Sequence, residues 1–256
     1  MEPNDFKILP LLLCDGAHHT VPYDIVSAIT ARGLDNAPPD DRAAAWLVLS
    51  GVYPLHPEEW SEHKRKITDS YLQFIEEFEM SGYDALEIPP NTEEFNFGFG
   101  DQHMLSLIHA DEHRSQHHYK YFPFQDESCP DNPCKILLRR LERILYIFDR
   151  TNPWIRYCQG FNELLCPIFY VFLSAFEFCH NSLDIVEAFS FSVLQNLLTM
   201  TGLCDFHTMA DRASVLRYKM QGFLGLLKER VPEVYNVTET FEIDPIEYAL
   251  SRLGLM

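Results

Sequence analysis

The chain has 256 residues, 46% of them hydrophobic, enough to fill the core of one large domain or two small ones. Its 20 basic residues stand against 38 acidic ones, a net charge of −18, which makes nucleic acid and anionic membrane surfaces poor partners. A basic protein surface would suit it better, although solubility alone is the plainer account of the charge. Seven cysteines, odd in number and scattered, point to reduced thiols and a cytoplasmic home.

Glu2 and Asp5 precede a short apolar run, Ile8 to Cys14, without the basic start of a secretory signal. The longest strongly apolar run, Leu164 to Phe176, is too short to span a bilayer. Residues 1–41 read as an N-terminal extension holding two short apolar segments, the second of them, Tyr23 to Ile29, helical. Pro38 and Pro39 end that region, and Asp40 or Asp41 is placed to cap the next helix. That helix carries Arg42 and Trp46 on one face, four residues apart. A polar helix from about Glu58 to Met80 follows, with Trp60, Ile67, Tyr71, Phe74, Ile75 and Phe78 as its buried stripe.

Residues 81–134 are the least regular part, rich in Gly, Pro, Asn and aromatics, and they include a polar island from Ile108 to Arg114. Asn132-Pro133 then starts a helix with a stripe of Leu137, Leu141, Ile144, Leu145 and Phe148. Its arginines, Arg139, Arg140 and Arg143, are expected to turn elsewhere. Asn152-Pro153 breaks it. Between this helix and an apolar one over 163–178 lies Tyr157-Cys158-Gln159-Gly160-Phe161-Asn162. A buried amide without partners costs about 1–3 kcal/mol, so Gln159 and Asn162 are either satisfied or held for use. Further helices are expected at 184–201 and 209–230, and Asp244-Pro245-Ile246-Glu247 starts another. No period-2 pattern is convincing, and the fold class is all-α. Asn236-Val237-Thr238 matches a glycosylation sequon, which carries no meaning in a cytosolic chain.

Three patterns stand in order along this chain: Arg42-x-x-x-Trp46 followed by Leu49-Ser50-Gly51, then Ile108-x-x-Asp111-x-x-Arg114, then Tyr157-x-Gln159-Gly160-x-Asn162. Together they resemble the N-terminal motifs of the TBC domain, the family of GTPase-activating proteins for Rab GTPases. The resemblance covers about 40–256 and implies an all-α TBC-type multi-helix domain over 42–256. The family's later helices, with a Leu-Phe motif and a Trp-Asp pair, have no counterpart before Met256, so the C-terminal helices are expected to be lacking. It also implies a GTP-bound Rab-type GTPase as partner, which supplies GTP and Mg²⁺; the domain then needs no cofactor or metal of its own and reaches endomembranes only through that partner. By the resemblance Arg114 is an arginine finger and Gln159 a glutamine finger that positions the attacking water. Asp111 aims Arg114, Tyr157 and Asn162 brace the loop, Gly160 permits close backbone approach, and Arg42, Trp46 and Ile108 are structural. Ser115 stands where the family usually has Thr, and Phe161 where Met is common.

Two other readings stay open on the sequence. One is a TBC-like scaffold that holds a GTPase without accelerating it. The other is a zinc protease, because His109-Ala110-Asp111-Glu112-His113 matches the H-x-x-E-H pattern with Glu187 as a third ligand. Cys129 and Cys134 with His117 or His118 could form a structural zinc site, though free thiols are the simpler account.

Overall fold

The computed structural model describes residues 20–88, 95–115, 134–200 and 212–243. Among them are nine α-helices and no strand: α1 (Tyr23–Thr30), α2 (Pro39–Leu49), α3 (Trp60–Glu77), α4 (Gln102–Ser115), α5 (Lys135–Thr151), α6 (Phe161–Ser174), α7 (Leu183–Met200), α8 (Arg212–Arg230) and α9 (Pro232–Thr240). Single 3-10 turns lie at Pro57–Glu59 and Tyr83–Ala85. Among the described residues no helix is long and apolar enough to cross a membrane.

The second helix begins one step earlier than its acidic residues suggest. Pro39 takes the first helical position, where a missing N–H costs nothing, and Asp40 and Asp41 lie in the first turn rather than at the cap. There their charge still favours the positive end of the helix. In α3, Trp60, Tyr71 and Ile75 are buried, while Ile67, Phe74 and, just past the helix end, Phe78 pack against the core from its edge.

Helix α5 is the centre of the molecule, touching α4, α6, α7 and the 3-10 turn at 83–85. Every residue from Leu138 to Asp149 is buried, including Arg139, Arg140 and Arg143. This corrects the expectation that these arginines turn away from the core. They stay inside because each guanidinium meets carboxylates there. Arg143 donates to both oxygens of Glu187 (2.6 and 3.1 Å) and to Asp84 (2.9 Å). Arg140 reaches Asp84 and Asp184, each at 2.8 Å, and also Glu187. Tyr71 donates to Glu187 at 2.7 Å. Burial works against the charge on Arg143, but Glu187 and Asp84 outweigh it and raise its pKa. These bonds tie α3, α5, α7 and the turn at 83–85 together.

Helix α4 runs through the region that reads as irregular. Asp101 caps it, its Oδ1 accepting from the N–H groups of His103 (3.0 Å) and Met104 (3.2 Å). Met104, Leu105 and Ile108 supply the buried side. Gly100 precedes the cap at φ +31°, and a Cβ there would overlap the Tyr146 hydroxyl, which itself accepts from the Asp101 N–H at 2.8 Å. Helix α9, short and opened by Pro232, was not expected from the sequence. The expected features at Ile8–Cys14, His117, His118, Cys129, Asn132-Pro133 and Asp244–Met256 lie outside the described residues.

Candidate functional site

Asp111 lies on α4, three residues before Arg114, so both side chains project from one helical face. Its carboxylate is buried and pairs with the exposed guanidinium of Arg114. The other oxygen, Oδ2, accepts a hydrogen bond from the Tyr157 hydroxyl at 2.9 Å. Asn162 Nδ2 donates to the Asp111 carbonyl at 3.3 Å. One residue of α4 is thus bonded to Arg114 and to both ends of the 157–162 segment. Ile108, one turn earlier, is fully buried and seats the helix.

The segment between α5 and α6 is pinned at several points. Asn152 donates to the Phe148 carbonyl at 3.0 Å, and its own carbonyl accepts from the N–H groups of Ile155 (3.0 Å) and Arg156 (2.8 Å). Asp149, buried at the end of α5, accepts from the Tyr157 N–H at 2.8 Å and from Arg156 Nε at 2.9 Å. Arg156 adopts φ +63°, a left-handed conformation that costs an ordinary residue about 1–2 kcal/mol. The bond to Asp149 offsets that cost. Gly160 has φ +104°, outside the range open to other residues, and stands at the start of α6. Phe161 is buried and packs edge-on against Phe148 and Tyr157. Between these anchors Gln159 is exposed. Asn162 and Tyr157 are therefore satisfied groups within a braced loop, while Gln159 and Arg114 face solvent.

Behind Asp111, α4 is held by His109. Its Nδ1 lies 2.8 Å from Glu142 Oε1 and 3.0 Å from Arg139 Nη1. Arg139 donates to both oxygens of Glu142, and Tyr83 donates to Glu142 at 2.7 Å. Burial pushes the Glu142 carboxyl up, but Arg139 and His109 more than reverse this and hold it below the usual carboxylate range. These contacts also bear on the zinc-protease pattern. Glu187 is fully buried with its oxygens bonded to Tyr71, Arg140 and Arg143, so it has no place as a metal ligand, and His109 is engaged with Glu142. No group of three or more His, Cys, Asp or Glu side chains among the described residues is arranged to hold a metal ion.

Arg42 and Trp46 line a hollow of about 410 Å³ with Thr30, Leu34, Asp35 and Leu49. Trp46 packs on the core, and Arg42 approaches the Ala37 carbonyl at 3.5 Å. Asp149 and Arg156 belong to none of the three sequence patterns: Asp149 shows in the sequence only as an acid just before Asn152-Pro153, and nothing local marks the left-handed conformation of Arg156.

The profile of the Rab-GTPase-TBC domain matches residues 40–254. The chain belongs to that family. It is 26% identical over 223 residues to human (Homo sapiens) TBC1 domain family member 22B, covering 83% of this chain and 39% of that protein. It is also 30% identical over 125 residues to TBC1 domain family member 13 of Homo sapiens, covering 49% of this chain and 31% of that protein. The chain thus spans well under half the length of these relatives. Among solved structures, the Ypt/Rab-GAP domain of Gyp1p superposes with a TM-score of 0.66 at 17% identity, over 96% of this chain and 71% of that one. The all-α architecture is therefore the TBC fold.

Proposed function

We propose that this TBC domain accelerates GTP hydrolysis on a Rab-type GTPase in its GTP-bound state, with Arg114 and Gln159 as fingers supplied in trans. The observation that carries the reading is the position of Asp111. Its buried carboxylate bonds to Arg114 and to Tyr157, so the two exposed side chains stand on elements that share one anchor. A GTPase already holds its nucleotide and Mg²⁺; it lacks positive charge at the bridging oxygen and a group to orient the water. The Arg114 guanidinium would supply the first, at about 10³–10⁵ in rate, or about 4–7 kcal/mol. The Gln159 amide would supply the second, and this chain would need no cofactor of its own. Asp111 would keep the guanidinium aimed before the partner arrives, reducing the ordering left for the transition state. A cytoplasmic domain working this way would reach endomembranes through its partner.

Single-turnover GTP hydrolysis with a panel of purified GTP-loaded Rab-type GTPases tests the proposal. At least one member should be accelerated, and Arg114→Ala should remove about 10³-fold or more of that acceleration. Gln159→Ala should remove a comparable share. Binding without acceleration of any member would leave a scaffold and overturn the catalytic reading. Acceleration that survives both substitutions would refute the finger assignment.

A further inference from the structure

Of the three tryptophans in the chain, Trp60 is buried and Trp46 packs against the core, but Trp154 is 89% exposed. No other large apolar side chain among the described residues is as exposed. Its backbone, however, is not loose. Pro153 fixes φ just before it, Ile155 and Arg156 donate to the Asn152 carbonyl just after it, and Asp149 holds Arg156 and Tyr157. A rigid backbone that presents an uncovered indole is the arrangement that favours binding, because little order remains to be gained on contact. Tryptophan is enriched among the residues that dominate interface energetics.

The position in the chain says which partner. Trp154 stands five residues before Gln159 on the same connection, so their Cα atoms can be at most about 18 Å apart, and the turn at Asn152–Arg156 makes the span shorter. A partner covering about 800 Å² of this surface has a footprint about 30 Å across. A footprint centred on Gln159 reaches about 15 Å from it, so with the connection shortened by its turn a protein seated there comes up to the segment that carries Trp154. We propose that Trp154 is a docking anchor for the GTPase engaged by the two fingers, its indole entering an apolar hollow on that protein and setting affinity rather than rate. This inference rests on the activity proposed above.

The chain labelled with 5-fluorotryptophan should give three fluorine-19 resonances, with Trp154 assigned by its loss in Trp154→Phe. Addition of the unlabelled GTPase that the wild type accelerates, held with GDP and aluminium fluoride, should shift the Trp154 resonance and remove its solvent isotope effect, leaving Trp46 and Trp60 unmoved. In kinetics, Trp154→Ala should raise KM roughly ten- to thirty-fold with kcat within about two-fold, and Trp154→Phe should recover most of the loss. Unchanged thermal unfolding would exclude a folding defect. An unmoved resonance, an unmoved KM, or an indole found buried in a self-associated wild type by sedimentation would overturn the anchor alone. No acceleration of any panel member by the wild type would overturn the proposed function and the anchor with it.

Discussion

Replacing Glu187 with alanine removes the carboxylate on which Arg140, Arg143 and Tyr71 converge. Asp84 and Asp184 remain beside the guanidinium groups but are partly exposed, so they cannot replace a fully buried partner. Removing one member of a buried ion cluster costs about 3–5 kcal/mol, because the surviving charge stays desolvated. At about 2–4 °C per kcal/mol for a domain near this size, the melting temperature should fall by about 6–20 °C. Circular dichroism at 222 nm during heating, with urea unfolding at 25 °C, measures both quantities. Glu187→Gln keeps the volume and some hydrogen bonding, so its loss should be smaller. Replacing Arg143 by methionine together with Glu187 by leucine should recover part of the loss, since an apolar pair of similar size leaves fewer desolvated charges behind. A Glu187→Ala variant within about 0.5 kcal/mol of wild type would refute the reasoning, for it would mean that water reaches the cluster and that α5 is not the buried axis of the fold.

Glu142 gives a pH prediction. Its carboxyl is held below the ordinary range in the folded state, so its contribution is fully present above the unfolded pKa of about 4.3 and is lost as pH falls through the folded value. Glu142→Gln should therefore be less stable than wild type at pH 7, with the gap closing below about pH 4; a gap independent of pH from 7 to 3 in urea unfolding would refute this. Gly100→Ala should cost about 1–3 kcal/mol, because the new Cβ meets the Tyr146 hydroxyl that helps start α4; an unchanged urea midpoint would contradict it. Burial raises both the Cys166 and Cys179 thiols, the latter to about 12, so neither should be alkylated by iodoacetamide at pH 8 until denaturant is added. Peptide mass mapping reads this directly, and labelling of either in the native state would count against their burial. Asp149→Ala removes the acceptor for Arg156 and for the Tyr157 N–H, and should lower GTPase stimulation at least ten-fold; full stimulation with an intact fold would mean that the loop holds its shape without it.

Helical periodicity was readable wherever one face alone is apolar, as along α3 from Trp60 to Ile75. It misled at α5, where charged residues ordinarily mark the solvent side. Arg140 and Arg143 are instead paired with Glu187 and Asp84, more than 40 positions away in either direction, and no local pattern encodes such pairing. Helix α4 was legible in part: Asp101 followed by Met104, Leu105 and Ile108 is a capped amphipathic start, hidden by the glycine and aromatic content before it. The polar segment at Tyr157–Asn162 stood out because its residue types are costly between apolar helices. What braces it was partly invisible, because Asp149 works through a backbone N–H and a left-handed arginine, neither of which has a composition signal.

The single carboxylate of Asp111 has a consequence for how damage to this protein combines. Because one group holds Arg114 on one side and Tyr157 on the other, a lesion that unseats α4 also loosens the connection bearing Gln159. Substitutions on the two elements should then fail to add: once Asp111 is gone, a second change at Tyr157 has little left to remove. Loss of this one residue would disturb the setting of Arg114 and of the Tyr157–Asn162 segment together, so lesions on α4 and on that connection should behave as one lesion rather than two.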